Sequence, residues 1–127
     1  MSRRDQENCV SNNGRSIDLP HRPSRIRRLN DKFRASFEGG KVLVTWGVRA
    51  LGPVLVDEFL QTVRQFDGLD QANDPYNEHN FGSFSSGGQR VCWKIDYYDR
   101  SMQFGSIDPS NEAETVRVLT VMLTSEY

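Results

Sequence analysis

Two adjacent glycines set between alternating runs constrain this chain more than any other feature of its sequence. Residues 81–85 (FGSFS) and 89–98 (QRVCWKIDYY) each alternate apolar side chains with small or polar ones, and Gly87 and Gly88 lie between them. Glycine enters left-handed backbone without steric penalty, so the pair predicts a two-residue turn closing a β-hairpin. A tight turn also fixes register: Phe84 falls opposite Val91, Gly82 opposite Trp93, and His79 within reach of Asp96. A second reversal at Asp99 and Arg100 extends the hairpin into an antiparallel meander, with Met102 beside Tyr97 and Phe104 beside Ile95. Strand alternation then gathers Phe84, Val91, Trp93, Ile95, Tyr97, Met102 and Phe104 on one face. His79, Lys94, Asp96, Tyr98 and Gln103 fall on the other.

The apolar face needs cover, and three helical patterns supply it. Ile26, Leu29, Phe33 and Phe37 recur at helical spacing after Pro23 and Ser24, and Gly39 and Gly40 stop that helix. Gly52 and Pro53 start a second helix, with Asp57 and Glu58 near its positive end and Val56, Phe59, Leu60, Val63 and Phe66 as its buried stripe. Asp108 and Pro109 open a third, in which Val116, Leu119, Met122 and Leu123 keep helical spacing almost to Tyr127. Residues 41–46 (KVLVTW) are β-branched and apolar, which predicts a central strand. The expected order is α-β-α-β-β-β-α, an α+β fold with its helices packed on one face of an antiparallel meander.

Length and charge set the outer limits. A chain of 127 residues can bury a core without disulfides or metal. Its mean hydropathy of −0.64 is low, and residues 1–22 hold almost no large apolar side chains to offset the entropy of ordering. A disordered basic arm over 1–22 and one α+β domain over 23–127 are therefore expected. Residues 1–34 carry nine Arg or Lys against four Asp or Glu, while the remainder carries seven against thirteen. That asymmetry fits a nucleic-acid-binding arm, and equally attraction within the chain or between copies. Cys9 and Cys92 form neither a disulfide framework nor a metal-ligand spacing, which suits a reducing compartment. No run of apolar residues is long enough to span a bilayer, so a cytoplasmic protein is expected.

Chemistry has few places to sit. A carboxylate that orients an imidazole is half of a general-base arrangement, which makes His79 and Asp96 the catalytic candidates, with no nucleophile evident beside them. The acidic loop 69–80 and the polar sheet face supply Asp74, Glu78, His79, Lys94, Asp96 and Asp99 as binding candidates. Several carboxylates could attract a divalent cation, but the loop departs from a calcium-binding pattern: Ala72 and Pro75 stand where an acidic residue and a glycine are required. No cofactor is expected. Arg25, Arg27, Arg28, Lys32 and Arg34 surround the first helix's apolar stripe and are the nucleic-acid candidates, without interleaved aromatic residues. Sequence signatures of ATP, dinucleotide and acyl-transfer sites are absent.

The segments RIRRLNDKFR (25–34), GVRALGP (47–53), NDPYNEHNFGSF (73–84), WKIDYYD (93–99) and RVLTVMLTSEY (117–127) resemble, in order, the bacterial domain of unknown function 3768. The resemblance implies an accessory protein of bacterial chromosomes and plasmids, with a cytoplasmic setting and no known catalytic residue, cofactor or partner. It also implies a carboxylate at the position held here by Asn80, which weakens a metal role for that loop. The leading expectation is a non-enzymatic binding or regulatory module, acting on a protein, a nucleic acid or a second copy of itself and not on a membrane. The alternative is a metal-assisted hydrolase of phosphodiesters.

Overall fold

The computed structural model describes residues 22–69 and 77–127. Helix α1 (Arg22–Ser36) leads through Phe37 into strand β1 (Gly40–Val44), a single-turn helix α2 (Trp46–Arg49) and helix α3 (Pro53–Arg64). Strands β2 (Phe81–Ser86), β3 (Gln89–Tyr98) and β4 (Val116–Leu123) follow, and 3-10 turns occupy Glu112–Glu114 and Thr124–Glu126. The strands form one sheet in the order β1-β4-β3-β2, antiparallel throughout except for the parallel β1–β4 pair.

The glycine hairpin folds as its sequence dictates. Gly87 and Gly88 take positive φ of 58° and 77°, and Gly82 pairs with Trp93 and Phe84 with Val91. The glycine opposite tryptophan is a steric requirement, since a Cβ on Gly82 would sit 2.5 Å from Trp93 Nε1 and 2.8 Å from the Phe66 ring. Val91, Trp93, Ile95 and Tyr97 all point toward the helices, where Phe33 of α1, Val48 of α2 and Phe59 and Val63 of α3 complete the core with Leu119 and Val121. Phe66 meets Trp93 edge-on at 5.6 Å between ring centroids, and Phe59 meets Phe84 likewise at 6.1 Å. Both long helices thus lie on one face of the sheet, and the fold is α+β.

Three features of the expected order are corrected. The third meander strand does not form, because Asp99 Oδ1 accepts from the Ser101 hydroxyl and from the backbone N–H groups of Gln103 and Phe104, the donors a strand there would need. A compact turn results, with Met102 at φ 62°, and Met102 and Phe104 are exposed and do not join the core. The predicted C-terminal helix is instead β4, the sheet's inner strand. Val116, Val118, Thr120 and Val121 are β-branched, and pairing β4 to both β1 and β3 satisfies its backbone along both edges. Consequently β1 lies at an edge and is not central. Trp46 leaves the predicted strand to open α2, and Asp57 and Glu58 lie beyond the first turn of α3; Pro53 does occupy that turn, and α1 stops where Phe37 turns left-handed at φ 59°, just before the two glycines.

Candidate functional site

The densest polar cluster lies beneath α1, at the end of the core where β3 and β4 emerge. Asn30 occupies a fully buried position on the apolar stripe of α1, between Ile26 and Phe33. Its amide donates to Tyr97 Oη at 2.8 Å and to the Glu78 carbonyl at 3.0 Å, while its Oδ1 accepts from Arg117 Nε at 2.7 Å. Tyr97 in turn donates to Glu78 Oε1 at 2.8 Å. Arg117 reaches the Pro109 carbonyl at 2.6 Å and lies over the Tyr97 ring. Such groups are tolerated in a core because each finds a partner there. Burial raises the Tyr97 phenol well above its ordinary range and pulls the Arg117 guanidinium down from its own.

A second pair adjoins this network. His79 Nδ1 donates to Asp31 Oδ1 at 2.8 Å, and Arg34 Nη2 donates to the same oxygen at 3.4 Å. Asn77 and His79 both adopt positive φ, 56° and 58°, bracketing Glu78. This double reversal aims Glu78 at Tyr97 and His79 at Asp31, and non-glycine residues held this way recur at functional sites. The carboxylate–imidazole arrangement expected of His79 therefore exists with Asp31 in the role assigned to Asp96. The extrapolated strand register ends before His79: the β2–β3 ladder runs out at Phe81 opposite Lys94, with one further bond from Ile95 N–H to the Asn80 carbonyl.

The other candidates disperse. Lys94 and Asp96 pair with each other at 3.0 Å on the face away from the helices, and that bond raises the Lys94 pKa. Asp99 holds its own turn, and its hydrogen bonds keep it below the usual carboxylate range. Asp74 lies outside the described residues. Among those described, no three His, Cys, Asp or Glu side chains gather closely enough to hold a metal ion.

The basic residues of α1 divide by direction. Arg28 and Lys32, four apart, share the exposed stripe turned away from the core, whereas Arg25 is half-buried and donates to Ser110 Oγ at 3.5 Å. Arg27 donates to the Asn77 carbonyl at 3.3 Å. Arg34 points inward, donating to the Val63 and Phe66 carbonyls at 2.9 and 3.1 Å and lying over the Trp93 ring. These bonds occupy the carbonyls at the end of α3, so Arg34 closes that helix and presents no charge for a phosphate.

Sequence reasoning missed Asn30, Asp31 and Arg117. Asn30 had a legible signal, a polar side chain at the centre of an apolar helical stripe. Arg117 had none, because its strand was read as a helix.

A family model for proteins of unknown function, DUF3768, matches residues 44–126, from the end of β1 to the last turn. The chain belongs to the DUF3768 family. The matched stretch carries Glu78, His79, Tyr97 and Arg117, whereas Asn30 and Asp31 lie on α1, ahead of it. No curated protein and no solved structure matches this DUF3768 chain. No described helix is long and apolar enough to cross a membrane.

Proposed function

We propose that this DUF3768 protein is a cytoplasmic, non-enzymatic binding or regulatory module that engages its partner through the sheet face opposite the helices. The observation that carries the reading is the one-sided packing of the fold. The described helices α1, α2 and α3 pack against the face of Trp93 and Tyr97, while the other face carries Lys41, Leu43, Phe81, Lys94, Asp96, Tyr98 and Thr120 around a buried centre of Cys92, Val118 and Met122. Among the described residues only the C-terminal turn crosses it, where Tyr127 rests against Phe81 at 5.5 Å between ring centroids. Aromatic rings such as Phe81 and Tyr98 are enriched at recognition surfaces, and Lys94 and Asp96 suit the polar rim of one. The Lys94–Asp96 pair is half exposed and contributes little to stability, about 0–1 kcal/mol, so its substitution leaves the fold intact.

The test compares the full chain with a Lys94→Glu, Tyr98→Ala variant, each immobilised and exposed to cell extract, with bound protein and nucleic acid read separately. Loss of the captured species in the variant supports the reading, and identical capture by both chains removes it. Titration with labelled single-stranded and duplex oligonucleotides across salt separates the partner classes, because phosphate contacts weaken steeply as salt rises.

A second reading has one specific observation in its favour, the 2.8 Å contact between His79 and Asp31. In a metal-assisted hydrolase of phosphodiesters that histidine would serve as general base, with Glu78 and Asp74 as ligand candidates. Thermal melts with Mg²⁺, Mn²⁺, Ca²⁺ and Zn²⁺ test it, since a bound ion must raise the midpoint; no shift with any ion ends this reading.

A further inference from the structure

The outer rim of β1 is built to accept another strand. Parallel pairing with β4 turns the N–H and C=O groups of alternate β1 residues inward, as in the Thr45 N–H bond to the Val121 carbonyl at 3.1 Å. Alternation sends those of Val42 and Val44 outward, and no described residue bonds them. Protected edges carry a lysine, a proline, a bulge or inward-pointing charge; β1 has one such residue, Lys41 at its start, and beyond it runs uncharged through Val42, Leu43 and Val44. Leu43 is 51% exposed, and just beyond the strand Trp46 is 81% exposed. On the helix side of the same rim, Val44, Pro53 and Val56 line an open groove of about 330 Å³ with Arg49 and Asp57 at its margins. A cation and an anion on one groove complement the same pair on a copy turned by a two-fold axis, so the occupant that fits is a second copy of this chain.

We propose that two copies pair β1 to β1, antiparallel about a two-fold axis through Leu43, joining both four-stranded sheets into one. In this register Val42 of each copy faces Val44 of the other, and every outward N–H and C=O of those residues is bonded. The two Leu43 residues oppose each other at the non-hydrogen-bonded position, where Cα atoms approach to about 4.5 Å and side chains touch. On the helix side the grooves meet, bringing Arg49 of one copy toward Asp57 of the other. Leu43 lies where the rim meets that face, but the capture test alters Lys94 and Tyr98 on β3, two strands from the axis, so partner capture and oligomeric state fail separately.

Sedimentation equilibrium of the full chain over a wide concentration range tests the register. The native chain should reach twice 14.6 kDa. Leu43→Lys and Leu43→Glu should each sediment as single chains, and their mixture should recover the doubled mass, because opposite charges then face each other across the axis. A native chain that stays single at every concentration, a doubled mass surviving either substitution, or variants that do not combine would overturn the proposal. A further variant depends on no loss of association: Leu43→Cys in a Cys9→Ser background should form an intermolecular disulfide on mild oxidation. Absence of that crosslink in the folded protein counts against the axis.

Discussion

Tyr97 shows how one side chain can belong to a core and a polar network at once. Its ring stands in the apolar row of β3, while its hydroxyl joins Asn30 to Glu78. Removing the oxygen alone, as in Tyr97→Phe, takes one acceptor from the amide of the fully buried Asn30. The expected loss is about 1–3 kcal/mol, the cost of leaving buried polar groups unsatisfied, read as a lower midpoint at unchanged slope in urea denaturation. A change under about 0.5 kcal/mol would mean that water replaces the phenol there. Glu126 works at the surface in a comparable way: its carboxylate accepts from the Thr45 hydroxyl at 2.6 Å and from the backbone N–H groups of Gly47 and Leu123. Glycine at 47 leaves room for this approach, since a Cβ there would meet the carboxylate at 2.5 Å and push it aside.

Among the elements, β4 decides the architecture. It is bonded to β1 on one side and to β3 on the other, so its loss separates the sheet into an orphan strand and a hairpin. A chain ending at Ser110 should therefore remain unfolded by circular dichroism. In the full chain, the β4 amides should be among the slowest to exchange with deuterium, and the 99–106 turn among the fastest. Rapid exchange across Leu119 and Val121 would contradict the inner position of this strand. The same element marks the boundary of what local reasoning reads. Residues 116–123 place apolar side chains at helical spacing and at strand spacing alike, since an inner strand buried on both faces has no polar side to reveal period two. The β2–β3 hairpin was readable because its partner lies two residues away across a turn only glycines favour. In the site, His79 was legible as a candidate and its carboxylate was not, because Asp31 lies 48 residues earlier on α1.

At the scale of the whole molecule, titration sets the limits of stability. The first cause for Asp108 is the Ser110 hydroxyl, with Arg22 adding to it, and for Glu126 it is the Thr45 hydroxyl; both carboxyls are held below the ordinary carboxylate range. A carboxylate depressed in the folded state stabilises above its unfolded value, about 4, and that contribution is lost as pH falls through the folded value. Tyr97 is shifted the opposite way by burial, so its contribution is complete below the unfolded phenol value of about 10 and fades above it. Burial also raises the Cys92 thiol, so the alkaline loss begins above its unfolded value of about 9, and melting temperature should drop below about pH 4 and above about pH 9. Asp108→Asn should flatten the acid limb, measured by calorimetry across pH; a flat profile down to pH 2 would show that these carboxyls are not linked to folding.

By itself the sequence determined whatever neighbours along the chain dictate: the two long helices and their buried stripes, the glycine turn with its register, and the choice of Trp93 over Lys94 for the core. These follow from backbone sterics and periodicity, which act over a few residues. Only the tertiary structure decided that residues 116–123 are a strand, that β1 lies at the rim and that Asp31 orients His79. Each of those depends on hydrogen bonds and burial between segments far apart in the chain, whose energies exist only once the sheet has closed around β4.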